Sequence, residues 1–276
     1  MSKETEPAQL TFWEHLDALR ATLIRIAVIV VVCSVVLFCC KDFLFRVILA
    51  PKDADFITYR LFNLIAPLMQ QEGTEAFHVE LINTALTGQF LTHMKVAIYA
   101  GILCASPYIL YQLFRFVSPA LYADERRYAV RVVGFGYLLF LAGVLVSYFL
   151  IFPFTFRFLG TYQVSTAVGN LITLESYIST FTLLSLSLGI VFEMPMLCWF
   201  FAKLGFVTAD FMRRYRRHAI VLILIIAAII TPTSDVFTLM LVSLPMYLLY
   251  EVSIIIVRAT RSHRGTASDK TGDSTD

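Results

Sequence analysis

Charge is what this sequence has least of: Asp, Glu, Lys and Arg make up 15% of its 276 residues, against 58% hydrophobic ones. A soluble domain of this length needs a charged surface, and so few ionisable groups do not supply one; the composition points to a membrane. Net charge is only +2, and the basic residues are spread by loop rather than gathered in one patch, which argues against nucleic acid. Catalytic signatures are missing as well. There is no HExxH zinc motif, no GxSxG nucleophile elbow and no GxxxxGK phosphate loop. His15, His78, His93, His218 and His263 are scattered without ligand spacing, so neither an enzyme nor a resident metal or cofactor is expected. Cysteine is sparse. Cys33, Cys39, Cys40, Cys104 and Cys198 lie in or beside apolar segments, in a spacing that suits neither a zinc site nor a disulfide framework, and read as small apolar fillers. No secretory cleavage site precedes the first apolar run, which is expected to remain as an anchor.

What is present is a series of six apolar runs. A spanning helix needs roughly 20 mostly apolar residues to cross about 30 Å of hydrocarbon. The candidates are Leu23–Cys40, Phe90–Leu113, Tyr128–Phe152, Tyr177–Phe201, His218–Ile230 and Val236–Val257. They predict an all-α polytopic membrane protein, a single six-span domain over residues 1–257. Residues 41–87, with Pro51, Pro67, Gly73 and scattered charges, read as a folded extramembrane loop, partly helical. Pro153 is expected to stop the third span, and residues 258–276 to form a disordered polar tail. The fifth run reaches only about 20 Å, so it must thin the bilayer or sink its ends into it. The hairpin Thr231–Asp235 would then lie below the outer surface.

Basic residues set the orientation. Sixteen Lys and Arg fall in the N-terminal segment, the loops around Arg126 and Arg214, and the C-terminal tail. Six fall on the other side: Lys41, Arg46, Lys52, Arg60, Arg157 and, at its edge, Lys95. That bias predicts cytoplasmic termini.

Ionisable residues inside the runs are the candidate functional groups. Glu193 lies deep in the fourth run, where a carboxylate is costly unless it faces a cavity or a partner. Glu251 lies toward the cytoplasmic end of the sixth, where interfacial solvation is an equal reading, and Lys95 is expected to snorkel. These three leave open a proton- or ion-coupled secondary transporter, which would favour internal repeats and discontinuous helices; no repeat is evident. On the cytoplasmic face, Leu10–Arg25 is amphipathic, with Phe12, Leu16, Leu19 and Leu23 on one side and Glu14, Asp17 and Arg20 on the other. Trp13 suits the membrane interface. The first cytoplasmic loop carries Asp124 and Glu125 before Arg126. Carboxylates beside a membrane-facing groove suit an arginine-bearing peptide, although a merely solvated face is the common alternative.

The longer motifs are specific. His15-Leu16-x-x-Leu19-Arg20, Ser106-Pro107-Tyr108 running into Ser118-Pro119-Ala120-Leu121-Tyr122, Glu125-Arg126-Arg127, Phe192-Glu193-Met194-Pro195, Thr231-Pro232 with Asp235, and Pro245-Met246-Tyr247 with Tyr250-Glu251 occur in one order. From about Phe12 to Arg258 the chain resembles the TatC family, the multi-span receptor subunits of the twin-arginine protein translocase. The resemblance implies a glove-shaped, concave six-span bundle in the bacterial cytoplasmic membrane, with short fifth and sixth spans. It also implies Arg-Arg signal peptides of folded cargo as ligands, small single-span subunits of TatA and TatB type as partners, self-association in the receptor complex, and transport driven by the proton-motive force. By the same resemblance, Glu125 would recognise the arginine pair, with Arg20 and Leu16 in the N-terminal motif beside it. Glu193 would line the concave face, with Glu251 as a second intramembrane polar contact. Pro51 and Asp235 match the family's proline and aspartate in the outer loops. One departure concerns Ala18, which stands where the family often has a glutamate; Asp17 or Glu14 is expected to replace its charge, although a one-residue shift turns a helical side chain by about 100°. The first outer loop is also longer than the resemblance leads one to expect.

Overall fold

In hydrocarbon a chain can satisfy its backbone polar groups only as a helix or a closed barrel, and the long apolar runs here take the first solution. The computed structural model describes residues 12–65, 80–117, 129–163, 165, 170–231 and 235–268. Helix α1 covers Phe12–Phe38, α2 Lys41–Leu49, α3 Ile57–Ile65 and α4 Gly88–Val117. Helix α5 (Ala129–Val146), a π-helical stretch (Ser147–Ile151) and α6 (Phe152–Thr161) run on as one rod. Helices α7 (Leu174–Phe192) and α8 (Met194–Lys203) are separated by a break at Glu193. Then come α9 (Ala209–Arg214), α10 (Arg216–Ile230) and α11 (Val236–Ser268). Two short strands, β1 (Leu81–Ile82) and β2 (Ile172–Thr173), pair in parallel and tie the first long loop to the entry of α7.

Five helical rods are long and apolar enough to cross a membrane: α1, α4, α5–α6, α7–α8 and α11. The remaining apolar run, the fifth, is α10, whose 15 residues rise about 22 Å. That is shorter than a hydrocarbon core. The sixth, in α11, is not short as expected but 24 residues long. The core is centred on α7, where Tyr177, Ile178, Leu184 and Leu188 are fully buried. Phe152 meets Tyr177 and Phe181 edge-on, each at 5.0 Å, in the favourable T-shaped geometry. Gly143 lets α5 approach α7: a Cβ there would sit 2.6 Å from the backbone oxygen of Leu188. By contrast α1 packs along α4 alone of the long helices, and only 6% of its apolar window is buried against 39–44% for the others. Its valine- and isoleucine-rich face is left to lipid.

Four corrections to the sequence reading have local causes. The amphipathic N-terminal segment and the first span are one helix, because nothing between Phe12 and Phe38 breaks it. Helix α11 continues to Ser268, so the expected disordered tail is helical over 258–268, and 269–276 lie outside the described residues. The fourth run is not one helix. Pro195, in the first turn of α8, cannot donate a backbone bond, and the helix breaks at Glu193.

The fourth concerns Pro153, which does not stop the third span; the helix passes through it to Thr161. A proline at 153 leaves the carbonyl of Phe149 without its usual donor. The π turn shifts the ladder, with Phe152 N–H donating to Ser147 O, and the Thr58 hydroxyl of α3 donates to Phe149 O. Pro51 does the same to Val47 in α2, and there the Tyr148 hydroxyl donates to Val47 O at 2.7 Å. Tyr177 donates to the neighbouring Ile48 O at 2.9 Å. Tyr59 lies 2.9 Å from Pro153 O and 3.2 Å from Pro51 O, so one proton bridges the two proline carbonyls. Burial pushes the Tyr59 hydroxyl pKa up, with Arg157 over its ring pulling the other way, and the group stays a donor. Pro51 and Pro153 vacate the carbonyls of Val47 and Phe149, which Tyr148 and Thr58 fill, and the Tyr59 and Tyr177 hydroxyls add contacts to carbonyls beside the prolines. The result clamps α2 and α3 onto α6 and α7.

Candidate functional site

Opposite this clamp, in the half of the bundle that ends at Arg115 of α4 and Lys203 of α8, a cavity of about 600 Å³ opens between α4, α5, α7 and α8. Ile102, Ile109, Phe140, Ile190 and Phe200 make its walls apolar, and Glu193 is the one charged residue among those lining it. Sequence and geometry explain its position. Glu193 closes α7, its N–H donating to Ile190 O at 3.1 Å, and Pro195 frees the turn to aim the side chain into the cavity rather than along a helix face. Gly136 makes room for it: a Cβ at 136 would lie 2.5 Å from Met196 Sδ and 3.1 Å from Glu193 Oε2. Glu193 Oε1 is buried and has no hydrogen-bond partner among the described residues. The nearby Ser106 hydroxyl is already committed to Leu103 O at 2.7 Å. An orphaned carboxyl oxygen in an apolar wall is costly to keep. What the cavity can do is accept an apolar segment that brings one hydrogen-bonding group.

The other predicted residues are placed differently. Glu251 does not line the cavity; Arg216 holds it at 2.6 Å and the Tyr247 hydroxyl donates to it at 3.1 Å, which ties α10 to α11. Lys95 does not simply snorkel but pairs with Glu175 at 2.7 Å, joining α4 to α7. The three intramembrane charges therefore have separate surroundings and form no common ion site, which weighs against the transporter alternative. Asp235 is a helix cap: its Oδ1 accepts from Thr238 N–H at 2.6 Å at the start of α11. Residues 232–234 of the outer hairpin lie outside the described residues. Pro51 is buried in the clamp. Leu16, Asp17 and Arg20 are exposed on the first turns of α1, with Asp17 and Arg20 offset by about 60° around the helix. Glu125 and the side chain of Glu14 lie outside the described residues.

Sequence reading missed Tyr59, Tyr148, Tyr177 and Thr58. The available signal was indirect: a proline inside an apolar helix implies an orphan carbonyl, and hence a donor somewhere. It also missed Glu175 and Arg216, whose partners are 80 and 35 residues away in the chain.

Comparisons with known proteins agree with this architecture. The family described as "Sec-independent protein translocase protein (TatC)" matches residues 14–245. The Sec-independent protein translocase protein TatC of Blattabacterium sp. subsp. Periplaneta americana is 33% identical over 258 residues, covering 92% of this chain and 97% of that protein. TatCy of Bacillus subtilis is 33% identical over 264 residues, covering 95% of each. Two crystal structures of the twin-arginine translocase receptor TatC, one of them in DDM, superpose with TM-scores of 0.71 and 0.72 at 31% identity. They cover 90% and 88% of this chain, and 99% of each crystallised chain. The chain is thus a multi-pass membrane component of a Sec-independent protein translocase and belongs to the TatC family.

Proposed function

We propose that this protein is the signal-peptide receptor and assembly scaffold of a twin-arginine translocase in a bacterial inner membrane, exporting folded proteins at the expense of the proton-motive force. In this reading α10 completes six spans as a short one, the bundle is concave, and both termini face the cytoplasm, as the bias of the basic residues predicts. The single observation that carries the reading is the unpartnered Glu193 Oε1 beside an otherwise apolar cavity of about 600 Å³. A single-span subunit of TatA or TatB type, with a polar group in its helix, supplies the missing hydrogen bond. Self-association in the receptor complex brings several such sites together. The arginine pair of the cargo signal docks on the cytoplasmic rim, recognised by Glu125, with Asp17 or Glu14 replacing the charge absent at Ala18, and with Leu16 and Arg20 completing the surface. Pro51, Asp235 and Glu251 hold the frame through the clamp, the α11 cap and the Arg216 ion pair.

The test is binding of a synthetic twin-arginine signal peptide to the purified full-length protein. Binding is expected to need both arginines and to fall at least tenfold in Glu125→Ala, the scale of a lost charge-assisted bidentate contact. Asp17→Asn should reduce it further only for weak signals. Equal binding of Arg-Arg and Lys-Lys peptides to folded protein would overturn the receptor reading.

A further inference from the structure

The turn between α9 and α10 carries a surface that neither the cavity nor the signal-binding rim uses. On its inner side Ala209 and Met212 are buried against Ile254 and Val257 of α11. Tyr250 donates to Met212 O at 2.8 Å, and the Thr208 hydroxyl caps α9 by accepting from Phe211 N–H at 3.2 Å. The element is therefore held in place while its outer side stays bare. Arg213, Arg214 and Arg217 are exposed there, and none of them pairs with a carboxylate among the described residues. Arg216 differs, being held by Glu251 at 2.6 Å.

Aromatic rings stand among the free arginines. Phe211 is 55% exposed and Tyr215 42%, their rings 4.6 Å apart, and His218 continues the ridge at 5.4 Å from Tyr215. Depth is fixed by the same helix. The exposed aliphatic run Ile220, Val221, Leu222 starts three residues after Arg217, a rise of about 4.5 Å. Guanidinium groups so close above the first hydrocarbon-facing residues lie at the level of lipid phosphates, where aromatic side chains also collect. Because α10 is too short to reach across the full core, this end is drawn down to the headgroups rather than held above them.

We propose that the α9–α10 elbow is a docking site for anionic phospholipid headgroups, the arginines binding phosphate and the aromatic ridge resting in the interface. Planar guanidinium groups suit phosphate oxygens by paired hydrogen bonds; Asp210 stands one turn before Arg213 and Arg214 on α9, but no ion pair among the described residues joins it to them, which leaves them available. An acidic protein segment would satisfy the charge but has no use for a ridge of rings at the membrane interface.

The experiment is native mass spectrometry of the full-length protein in detergent, titrated with phosphatidylglycerol or with phosphatidylcholine of the same acyl chains. Wild type is expected to retain phosphatidylglycerol preferentially. R213Q/R214Q/R217Q should weaken that retention roughly tenfold or more, as the loss of three surface-level cations predicts, and leave phosphatidylcholine unchanged. R261Q/R264Q, further along α11, should leave it within about twofold. The single variants R213Q and R217Q should each lose part of the preference, and they give the reading if the triple variant does not fold. Equal retention of the two lipids by wild type, an equal loss in R261Q/R264Q, or displacement by millimolar glycerol 3-phosphate, a headgroup without chains, would overturn the proposal.

Discussion

The two ends of this bundle treat unsatisfied polar atoms in opposite ways. At the clamp, Pro51 and Pro153 expose the carbonyls of Val47 and Phe149, the hydroxyls of Tyr148 and Thr58 arrive from other elements to meet them, and Tyr59 and Tyr177 tie down carbonyls alongside. In the cavity, Pro195 likewise interrupts a helix, and Glu193 N–H covers the Val191 carbonyl it would open, but nothing in the described residues comes to the Glu193 Oε1 that the turn aims inward. A proline in a membrane helix is thus not by itself a sign of function. The bookkeeping around it is: where the orphan is filled from within, the site is structural, and where it stays open, a ligand is invited.

That contrast predicts unequal costs for removing polar atoms. The largest loss of stability belongs to the clamp. Tyr59→Phe with Tyr177→Phe removes two buried donors from the carbonyls of Ile48, Pro51 and Pro153. At about 1–2 kcal/mol for each buried donor lost, the double variant should unfold roughly 5–10 °C lower in a detergent melt followed by intrinsic fluorescence. A melt unchanged from wild type would mean that water replaces the hydroxyls, and the clamp would lose its structural meaning. Asp235→Ala is a smaller perturbation of the same kind. It removes the cap on Thr238 N–H and is expected to cost about 1 kcal/mol, while Asp235→Asn, which keeps an acceptor, should cost less than half of that. Equal costs for the two variants would assign the effect to charge rather than to capping.

Much of the helical content was legible, because hydropathy reports it directly: Phe90–Leu113 and Val236–Val257 each lie inside an observed helix. Glu193 was legible for a related reason, since a carboxyl in an apolar run is conspicuous in one dimension. What pairing decides was not legible. Lys95 reads as a snorkelling lysine until Glu175 is seen beside it, and Glu251 reads as a second open carboxylate until Arg216 closes it. Pro153 reads as a terminator because its rescue comes from Thr58, 91 residues from the carbonyl it serves. Nothing in local periodicity encodes such a partner. The short α10 was visible as a deficit of length, but the free arginines of its elbow became distinct from Arg216 only once the ion pairs were known.

Glu193→Gln sharpens the comparison from the other side and should have the smallest effect on stability. Were Glu193 part of a filled network like the clamp, changing its chemistry would cost stability as the tyrosine variants do. It has instead an unpartnered oxygen, and glutamine has the same shape without the charge, so the melt should shift by no more than about 1 °C, with a slight rise allowed. The proposed function, however, needs a charge-assisted acceptor in that wall, stronger than the neutral amide oxygen that glutamine keeps. Site-specific crosslinking from position 197, where Leu197 lines the same cavity, to the single-span partner should therefore fall several-fold in Glu193→Gln when the partner presents a donor. Glu193→Leu should abolish the crosslink and, by completing the apolar lining, raise the melt. A variant that crosslinks normally but unfolds several degrees lower would reverse the assignment: the carboxyl would then belong to the frame, and the cavity would no longer be distinguished from the clamp.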